Sequence, residues 1–340
     1  MTDGAYRYDF EKPLAEVSRK LRDLAKDPEH RDKHRGTIAA LEGQLEGLKR
    51  TVYAGLTPWQ RVQLARHPLR PYTLDYIQLI CEQFTELHGD RLFGDDKALV
   101  GGLAKLDGRP IMVLGHQKGR DTKDNLMRNF GSAHPEGYRK ALRLLQLAEK
   151  YRLPVVIFID TPGAYPGVGA EERGQAHSIA YNMREMARLR TPMYLCVIGE
   201  GGSGGALGVG VGDRVAMLEN AYYSVISPEG CAAILWRDRA KAPDAAAVLK
   251  ITGKDLLELK LIDEVIEEPL GGAHHAPEEV AGRLKASIVK FFASVEGVAI
   301  DDVLARRYER FRRIGVFTTC TSLPPATPAP AIPSSETRPT

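Results

Sequence analysis

Two glycine-rich segments, each directly after a continuous apolar run, carry the residues best suited to chemistry. Residues 161–170 (TPGAYPGVGA) follow the run PVVIFID, and residues 199–206 (GEGGSGGA) follow the run PMYLCVI. Such runs predict strands buried on both faces, and ligands of parallel α/β sheets bind where strands end. Glycines let a ligand approach the backbone, and peptide N–H groups at the start of a helix stabilise an anion. One interpretation of residues 199–206 is therefore an oxyanion site.

The same segment fits three other interpretations. The spacing GxGxxG from residue 199, with Glu219 twenty residues beyond, matches a dinucleotide fingerprint. The glycines that follow it predict a helix too short for that motif. The spacing GxSxG matches a nucleophile elbow around Ser203, with Asp263 and His274 in the chain order of a hydrolase triad. The glycines could also serve only to let a helix approach the sheet. Local spacing does not choose among these.

Composition indicates a globular chain without a particular electrostatic partner. The 340 residues are 43% hydrophobic and 27% charged, with a net charge of +3. Because the basic residues form no stripe with interleaved aromatics, nucleic-acid binding is not expected. Four cysteines lie far apart without a CxxC pair, which favours reduced thiols and a cytoplasmic location and argues against a zinc ribbon. We expect no secretory signal, and no run approaches the about 18 apolar residues of a membrane span.

The apolar periodicity predicts a helical N-terminal region followed by alternating helices and strands. Two helices are expected between residues 13 and 49, separated at Asp27-Pro28. The alternation farther along predicts an α/β fold with a largely parallel sheet. After residue 56 we expect an irregular connection over 57–71 and a hairpin of 98–106 and 109–116 that turns at Asp107-Gly108. The predicted helices lie over 74–87, 137–151 and 176–189, in a short glycine-rich segment after the second apolar run, and, as a pair, from 277 to about 313. The predicted strands lie over 154–160, 192–198, 214–218 and 223–226.

These patterns divide the chain into three regions. Residues 1–56 form a helical extension that either caps the chain's own core or docks a partner. Residues 57–315 form the α/β domain. Residues 316–340 are rich in Pro, Thr, Ser and Ala, a composition that buries too little apolar surface to fold, so we expect this tail to be disordered.

The order of motifs downstream resembles the crotonase superfamily. A glycine-rich turn is followed by a strand, a PE turn at 228–229, a TG turn at 252–253 and a strand that includes residues 261–265. Longer segments resemble the carboxyltransferase alpha subunits of bacterial acetyl-CoA carboxylases, over about residues 10 to 313. These segments are 70–80, 115–123, 128–131, 135–144, 158–175, 197–207, 223–236 and 268–274. The resemblance implies a ClpP/crotonase-like core, a spiral of parallel strands, with an N-terminal helical extension and C-terminal helices.

The resemblance also implies a reaction and its partners. A carboxyl group would pass from carboxybiotin, on a biotin carboxyl carrier protein, to acetyl-CoA, and the malonyl-CoA formed would serve fatty acid synthesis. A beta subunit with a zinc ribbon would hold the CoA thioester within an α2β2 assembly, and biotin carboxylase would use ATP elsewhere in the complex. The chain has neither a Met-Lys-Met biotin site nor a P-loop, which fits a cofactor carried by a partner.

Site residues follow from the same resemblance. It places the oxyanion donors at Gly204 and Gly205. The carboxybiotin pocket would be formed by Gly163, Ala164, Gly202, Ser203 and Ala206. A basic cluster within the matched segments would contact CoA phosphates or the partner chain, unless it is only a solvated face; it consists of Lys118, Arg120, Lys123 and Arg128.

Glu229 and a pair of histidines are two further candidates. Glu229 lies at a position that is catalytic in some crotonase hydratases, but its turn is expected to cap the helix over 231–236. His30 and His34 are one helical turn apart and lack a third ligand, so no metal site is expected. The alternatives to a catalytic half-site are a self-sufficient hydratase or isomerase that uses Glu229, a serine hydrolase and a non-catalytic interaction subunit.

Overall fold

One sheet lies at the centre of the computed structural model, which describes residues 4–26 and 32–316. Its strands are β1 (Glu82–Glu86), β2 (Leu99–Leu106), β3 (Arg109–His116), β4 (Val155–Thr161), β5 (Met193–Gly202), β6 (Arg214–Leu218), β7 (Tyr222–Ser224) and β8 (Glu264–Ile266). The sheet order is β1-β2-β3-β4-β5-β6-β8, and β7 pairs with β5. All pairings from β3 onward are parallel, and β1 and β2 form an antiparallel edge. The predicted α/β fold with a largely parallel sheet is confirmed.

Helices cover this sheet and form both ends of the described chain. They are α1 (Lys12–Ala25), α2 (Arg35–Ala54), α3 (Pro58–Ala65), α4 (Thr73–Ile80), α5 (Thr122–Met127), α6 (Pro135–Lys150), α7 (Val168–Glu172), α8 (Gln175–Arg188), α9 (Ser203–Leu207), α10 (Pro228–Trp236), α11 (Ala242–Val248), α12 (Gly253–Glu258), α13 (Pro277–Val295) and α14 (Ile300–Arg312). The predicted break at Asp27-Pro28 and, apart from Val316, the predicted tail lie outside the described residues.

The two N-terminal helices form as their periodicity predicts. Leu14, Val17 and Leu21 of α1 lie on one face and pack with α2, and Leu64 of α3 completes this separate hydrophobic cluster. The Tyr53 hydroxyl donates to Glu11 Oε1 at 2.7 Å within the same region. The helical pair therefore packs on the chain's own residues, while the boundary between residues 56 and 57 stays a prediction.

Two predicted elements were wrong. The connection over 57–71 contains α3, which begins at a capping box: Thr57 Oγ1 accepts from the Gln60 N–H, and the Gln60 side chain accepts from the Thr57 N–H. The helix predicted over 74–87 ends at Ile80, and the chain continues as β1. β1 gains its ladder from β2, so pairing with a distant strand overrides local helical spacing.

The β2–β3 hairpin and the elements from β4 onward agree better with the predictions, because a few neighbouring residues are enough to specify them. Leu106 pairs with Arg109 across the β2–β3 turn. Asp107 and Gly108 have φ of 50° and 75°, as a two-residue hairpin turn of type I′ requires. Every residue of β4 and β5 is buried, which explains their continuous apolar sequences. The other predicted helices and strands from residue 137 onward are present within a few residues of their expected bounds.

Candidate functional site

The two glycine-rich segments meet at one edge of the sheet. β4 and β5 are parallel neighbours, and Thr161 at the end of β4 pairs with Gly201 near the end of β5. The two segments that follow β4 and β5 therefore leave the sheet at the same edge and next to each other. The structure brings together the residues that the sequence placed in one pocket.

The turn after β5, residues 203–205, presents backbone N–H groups. β5 extends through Gly202, and the five-residue helix α9 begins at Ser203 with no side chain capping it. The first-turn N–H groups of a helix have no partner within it, and no side chain caps those of α9. Ser203 has a φ of 51°, a left-handed conformation that is uncommon for a residue with a side chain. Such strain persists only where the surroundings enforce it.

Close contact with the first segment enforces this arrangement. A Cβ at position 205 would lie 2.5 Å from the carbonyl carbon of Gly163 and 2.7 Å from the nitrogen of Ala164. Gly202 is packed with equal closeness against the backbone of Pro162. The backbones of the two segments therefore touch directly, and at positions 202 and 205 only glycine allows it.

An apolar cavity adjoins this turn. It has a volume of about 400 Å³, and Ser203 is one of its few polar neighbours. Its walls come from many separate elements, among them Met183 of α8, Leu207 of α9 and Phe311 of α14. No signal in the sequence indicated it, since these side chains come from separate elements.

Charged side chains surround Glu200, three residues before the 203–205 turn. The Lys118 ammonium donates to Asp160 Oδ1 and to Glu200 Oε1, each at 2.7 Å. Glu200 Oε2 accepts from Arg66 Nε at 2.7 Å and from the Tyr222 hydroxyl at 2.6 Å. We refer to these five side chains as the ion network. Sequence reasoning missed it, apart from naming Lys118 for a different role.

The predicted basic cluster is not one exposed surface. Lys118 is buried in the ion network, with 9% of its surface exposed. Arg120 pairs with Asp75 and donates to the carbonyl oxygens of Pro68 and Arg70, at 2.9 and 3.0 Å.

The other two basic residues also differ from each other. Arg128 donates to Asp124 Oδ1 at 2.9 Å and to the Lys97 carbonyl oxygen at 3.0 Å, and Lys123 is exposed. Lys118, Arg120 and Arg128 thus bond to groups of their own chain, and the contact of the cluster with CoA phosphates or a partner chain stays a prediction.

Two alternative interpretations of residues 199–206 receive no support from the described residues. α9 is too short to be the helix of a dinucleotide-binding motif. Both side chains proposed to serve Ser203 have other partners: Asp263 is held by Arg310 Nε at 2.9 Å, and the His274 ring stacks on His67 with centroids 3.9 Å apart.

Glu229 is likewise engaged by its own chain. Ser227 Oγ caps α10 by accepting from the Gly230 N–H at 3.1 Å, so the turn has the capping role that was expected. The Glu229 carboxylate pairs with Arg66.

Several classes of site receive no support from the described residues. Within residues 4–26 and 32–316, no cluster of His, Cys, Asp and Glu is arranged to hold a metal ion. In the same ranges no helix is long and apolar enough to span a membrane. Cys81, Cys196 and Cys231 are free thiols, and Cys320 and His30 lie outside the described part.

Comparison with known proteins identifies close relatives over most of the chain. Residues 7–315 match a family described as acetyl co-enzyme A carboxylase carboxyltransferase-like. The acetyl-coenzyme A carboxylase carboxyl transferase subunit alpha of Geobacter metallireducens is 52% identical over 312 residues, which cover 92% of this chain and 98% of the relative. The protein of the same name from Xanthomonas axonopodis pv. citri is 56% identical over 310 residues, covering 91% and 97%.

Solved structures of distant relatives share the fold. Transcarboxylase 12S, solved with methylmalonyl-coenzyme A and methylmalonic acid, superposes with a TM-score of 0.53 at 19% identity, over 65% of this chain and 41% of that chain. A chain of a Pseudomonas malonate decarboxylase hetero-tetramer in complex with coenzyme A gives a TM-score of 0.54 at 18% identity, over 71% and 97%. These likenesses confirm the predicted crotonase-like fold.

Proposed function

Because the chain belongs to the acetyl co-enzyme A carboxylase carboxyltransferase-like family, we propose that it is the alpha subunit of a carboxyltransferase that converts acetyl-CoA to malonyl-CoA for fatty acid synthesis. Relatives named subunit alpha match over nearly their whole length, which supports a subunit rather than a complete carboxylase. The carboxyl donor would be carboxybiotin on a biotin carboxyl carrier protein. The C–N bond to its carboxyl group would break, a C–C bond would form at the acetyl methyl carbon, and the proton lost from that carbon is balanced by one taken up at the biotin nitrogen that is released.

The meeting of the two glycine segments is the observation that carries this proposal. Carboxybiotin supplies the carboxyl group and gathers negative charge on its ureido oxygen as that group leaves. The Gly204 and Gly205 N–H groups, at an uncapped helix start, are suited to donate to that oxygen. Gly163, Ala164, Gly202, Ser203 and Ala206 would form the pocket around it. Loss of one such preorganised donor costs roughly 3–4 kcal/mol in other enzymes.

A second chain would complete the site. We propose a beta subunit with a zinc ribbon that holds the CoA thioester, in an α2β2 assembly, with biotin carboxylase using ATP elsewhere and the whole complex in the cytoplasm. Several large apolar side chains are exposed on α10 and just before it: Ile234, Leu235, Trp236 and Val225. Exposed apolar surface of this kind is suited to cover by a partner.

Reconstitution tests the proposal. Mixing the purified alpha chain with its beta partner is expected to give exchange of carboxyl between malonyl-CoA and biotin, and alpha alone is expected to be nearly inactive. Full exchange by alpha alone would contradict a shared site. Hydration of an enoyl-CoA by alpha alone, lost on Glu229→Gln, would instead support the hydratase alternative, and labelling of Ser203 by a fluorophosphonate would support a hydrolase.

A further inference from the structure

The strand that leads into the 203–205 turn departs from regular pairing just before it. β4 and β5 pair in register up to Ile159↔Val197, and pairing resumes at Thr161↔Gly201. Residues 198–200 of β5 therefore lie opposite a single residue of β4. A bulge of this kind bends the strand and leaves backbone groups without ladder partners. The bulge ends three residues before Ser203, where α9 begins.

Two buried side chains satisfy the backbone of this bulge. The Glu200 N–H donates to Asp160 Oδ1 at 2.9 Å, and the Ile198 carbonyl oxygen accepts from Arg70 Nε at 2.7 Å. A Cβ at position 199 would lie 2.5 Å from Asp160 Oδ1. Glycine at 199 is therefore what admits the carboxylate that holds the bulge.

Lys118 connects the two strands at the bulge, because it donates to Asp160 on β4 and to Glu200 on β5. Burial would lower the pKa of Lys118, but these two carboxylates outweigh it and raise that pKa above its ordinary value. Burial would raise the pKa of Glu200, but Lys118 and then Arg66 lower it to about 2. Lys118 and Glu200 are therefore ionised at neutral pH. Removing one charge of a buried set leaves the others unpaired at high cost.

We propose that Lys118 and Glu200 are positioning residues that, through the bulge in β5, fix the direction of the N–H groups of the 203–205 turn. The inference rests on the proposed function, because it assigns the two residues a role toward the same oxyanion. Arg66 joins Glu200 to Glu229, so α3 and α10 are anchored at the same point.

The test uses the assembled alpha–beta complex and steady-state exchange between malonyl-CoA and biotin. Lys118→Met removes the ammonium and keeps most of the side-chain length. We expect kcat to fall roughly 10- to 100-fold, because displacements of about 1 Å at a reacting centre cost that much. KM for malonyl-CoA should stay near its original value, since the proposed site for CoA is on the partner. Lys118→Arg, which restores a cation, should recover part of kcat.

Lys140→Met is the matched control. Lys140 is also fully buried and pairs with Asp95 Oδ1 at 2.6 Å, but it lies outside the ion network. An equal fall of kcat in Lys140→Met would mean general destabilisation and would overturn the proposal, as would normal kcat in an assembled Lys118→Met complex.

Glu200→Gln keeps the shape of the side chain and serves if Lys118→Met does not assemble; its kcat should fall with KM unchanged. Failure of both variants to assemble would assign the network to folding and overturn the proposal. Absence of exchange by the unmodified complex would refute the proposed function itself, which is a separate result.

Discussion

Replacing Gly205 with alanine tests the close approach of the two glycine segments. The new Cβ would lie 2.5 Å from the Gly163 carbonyl carbon, 2.7 Å from the Ala164 nitrogen and 2.9 Å from the Gly163 Cα. Non-bonded carbon atoms settle at about 3.5–4.0 Å, so the segments must separate by about 1 Å. All three atoms belong to the backbone, so no side chain can move aside to absorb the change.

The expected effect is on the rate of transfer rather than on assembly. A shift of about 1 Å in a positioned group costs about 100-fold in rate, which corresponds to about 2.7 kcal/mol of activation free energy. Both the peptide N–H and the chain length are kept, so the loss would arise from geometry alone. The measurement is kcat of carboxyl exchange by the alpha–beta complex, with assembly checked by size-exclusion chromatography.

Alanine substitutions at two other glycines serve as comparisons for Gly205→Ala. A Cβ at position 204 would meet only Ile179 Cδ1, at 3.5 Å, so Gly204→Ala should lose much less activity than Gly205→Ala. Gly282, on an open face of α13, has no atom within 4 Å of such a Cβ, and Gly282→Ala should exchange at the original rate. An assembled Gly205→Ala complex with normal kcat would refute the reasoning, because the observed contact would then be unnecessary.

Three predictions concern stability. Arg70 and Glu268 form a fully buried ion pair with Nη1···Oε2 of 2.8 Å, so Arg70→Met should lower the free energy of unfolding by about 3–5 kcal/mol, measured with urea; a change under about 1 kcal/mol would contradict this. Gly43 lies in the interior of α2 with open space around it, so Gly43→Ala should raise the free energy of unfolding by up to about 1 kcal/mol, whereas a lower melting temperature would show an unseen constraint. Burial lowers the pKa of both His67 and His275 from 6.5 to about 4, so the unfolded chain takes up protons first and stability should fall as pH drops from about 6.5 towards 4; because burial also lowers the pKa of His116 and His274, replacing His67 and His275 with glutamine should reduce the fall of the urea midpoint between pH 7 and 5 without abolishing it, and an unchanged fall would argue against the assignment.

Short stretches of sequence were enough to predict much of the fold. The apolar runs of β4 and β5, the Asp107-Gly108 hairpin and the periodic helices need only a few neighbouring residues to specify them. α3 could also have been found, because Thr57, Pro58 and Gln60 spell a capping box with proline at the first helical position. β1 could not, since its partner strand decides its conformation.

The candidate site was likewise predicted from the sequence only in part. Sequence alone located the glycines and ordered them at strand ends, because their types and spacing are local. Only the tertiary structure decided what surrounds them: it placed Gly205 against Gly163, paired Asp263 with Arg310 and His274 with His67, and buried Lys118 between Asp160 and Glu200. The spacing of a lysine does not reveal whether its charge will face water or two carboxylates. That depends on the paths of β4 and β5 through space, and folding brings together ions that lie 42 and 82 residues from Lys118 in the chain.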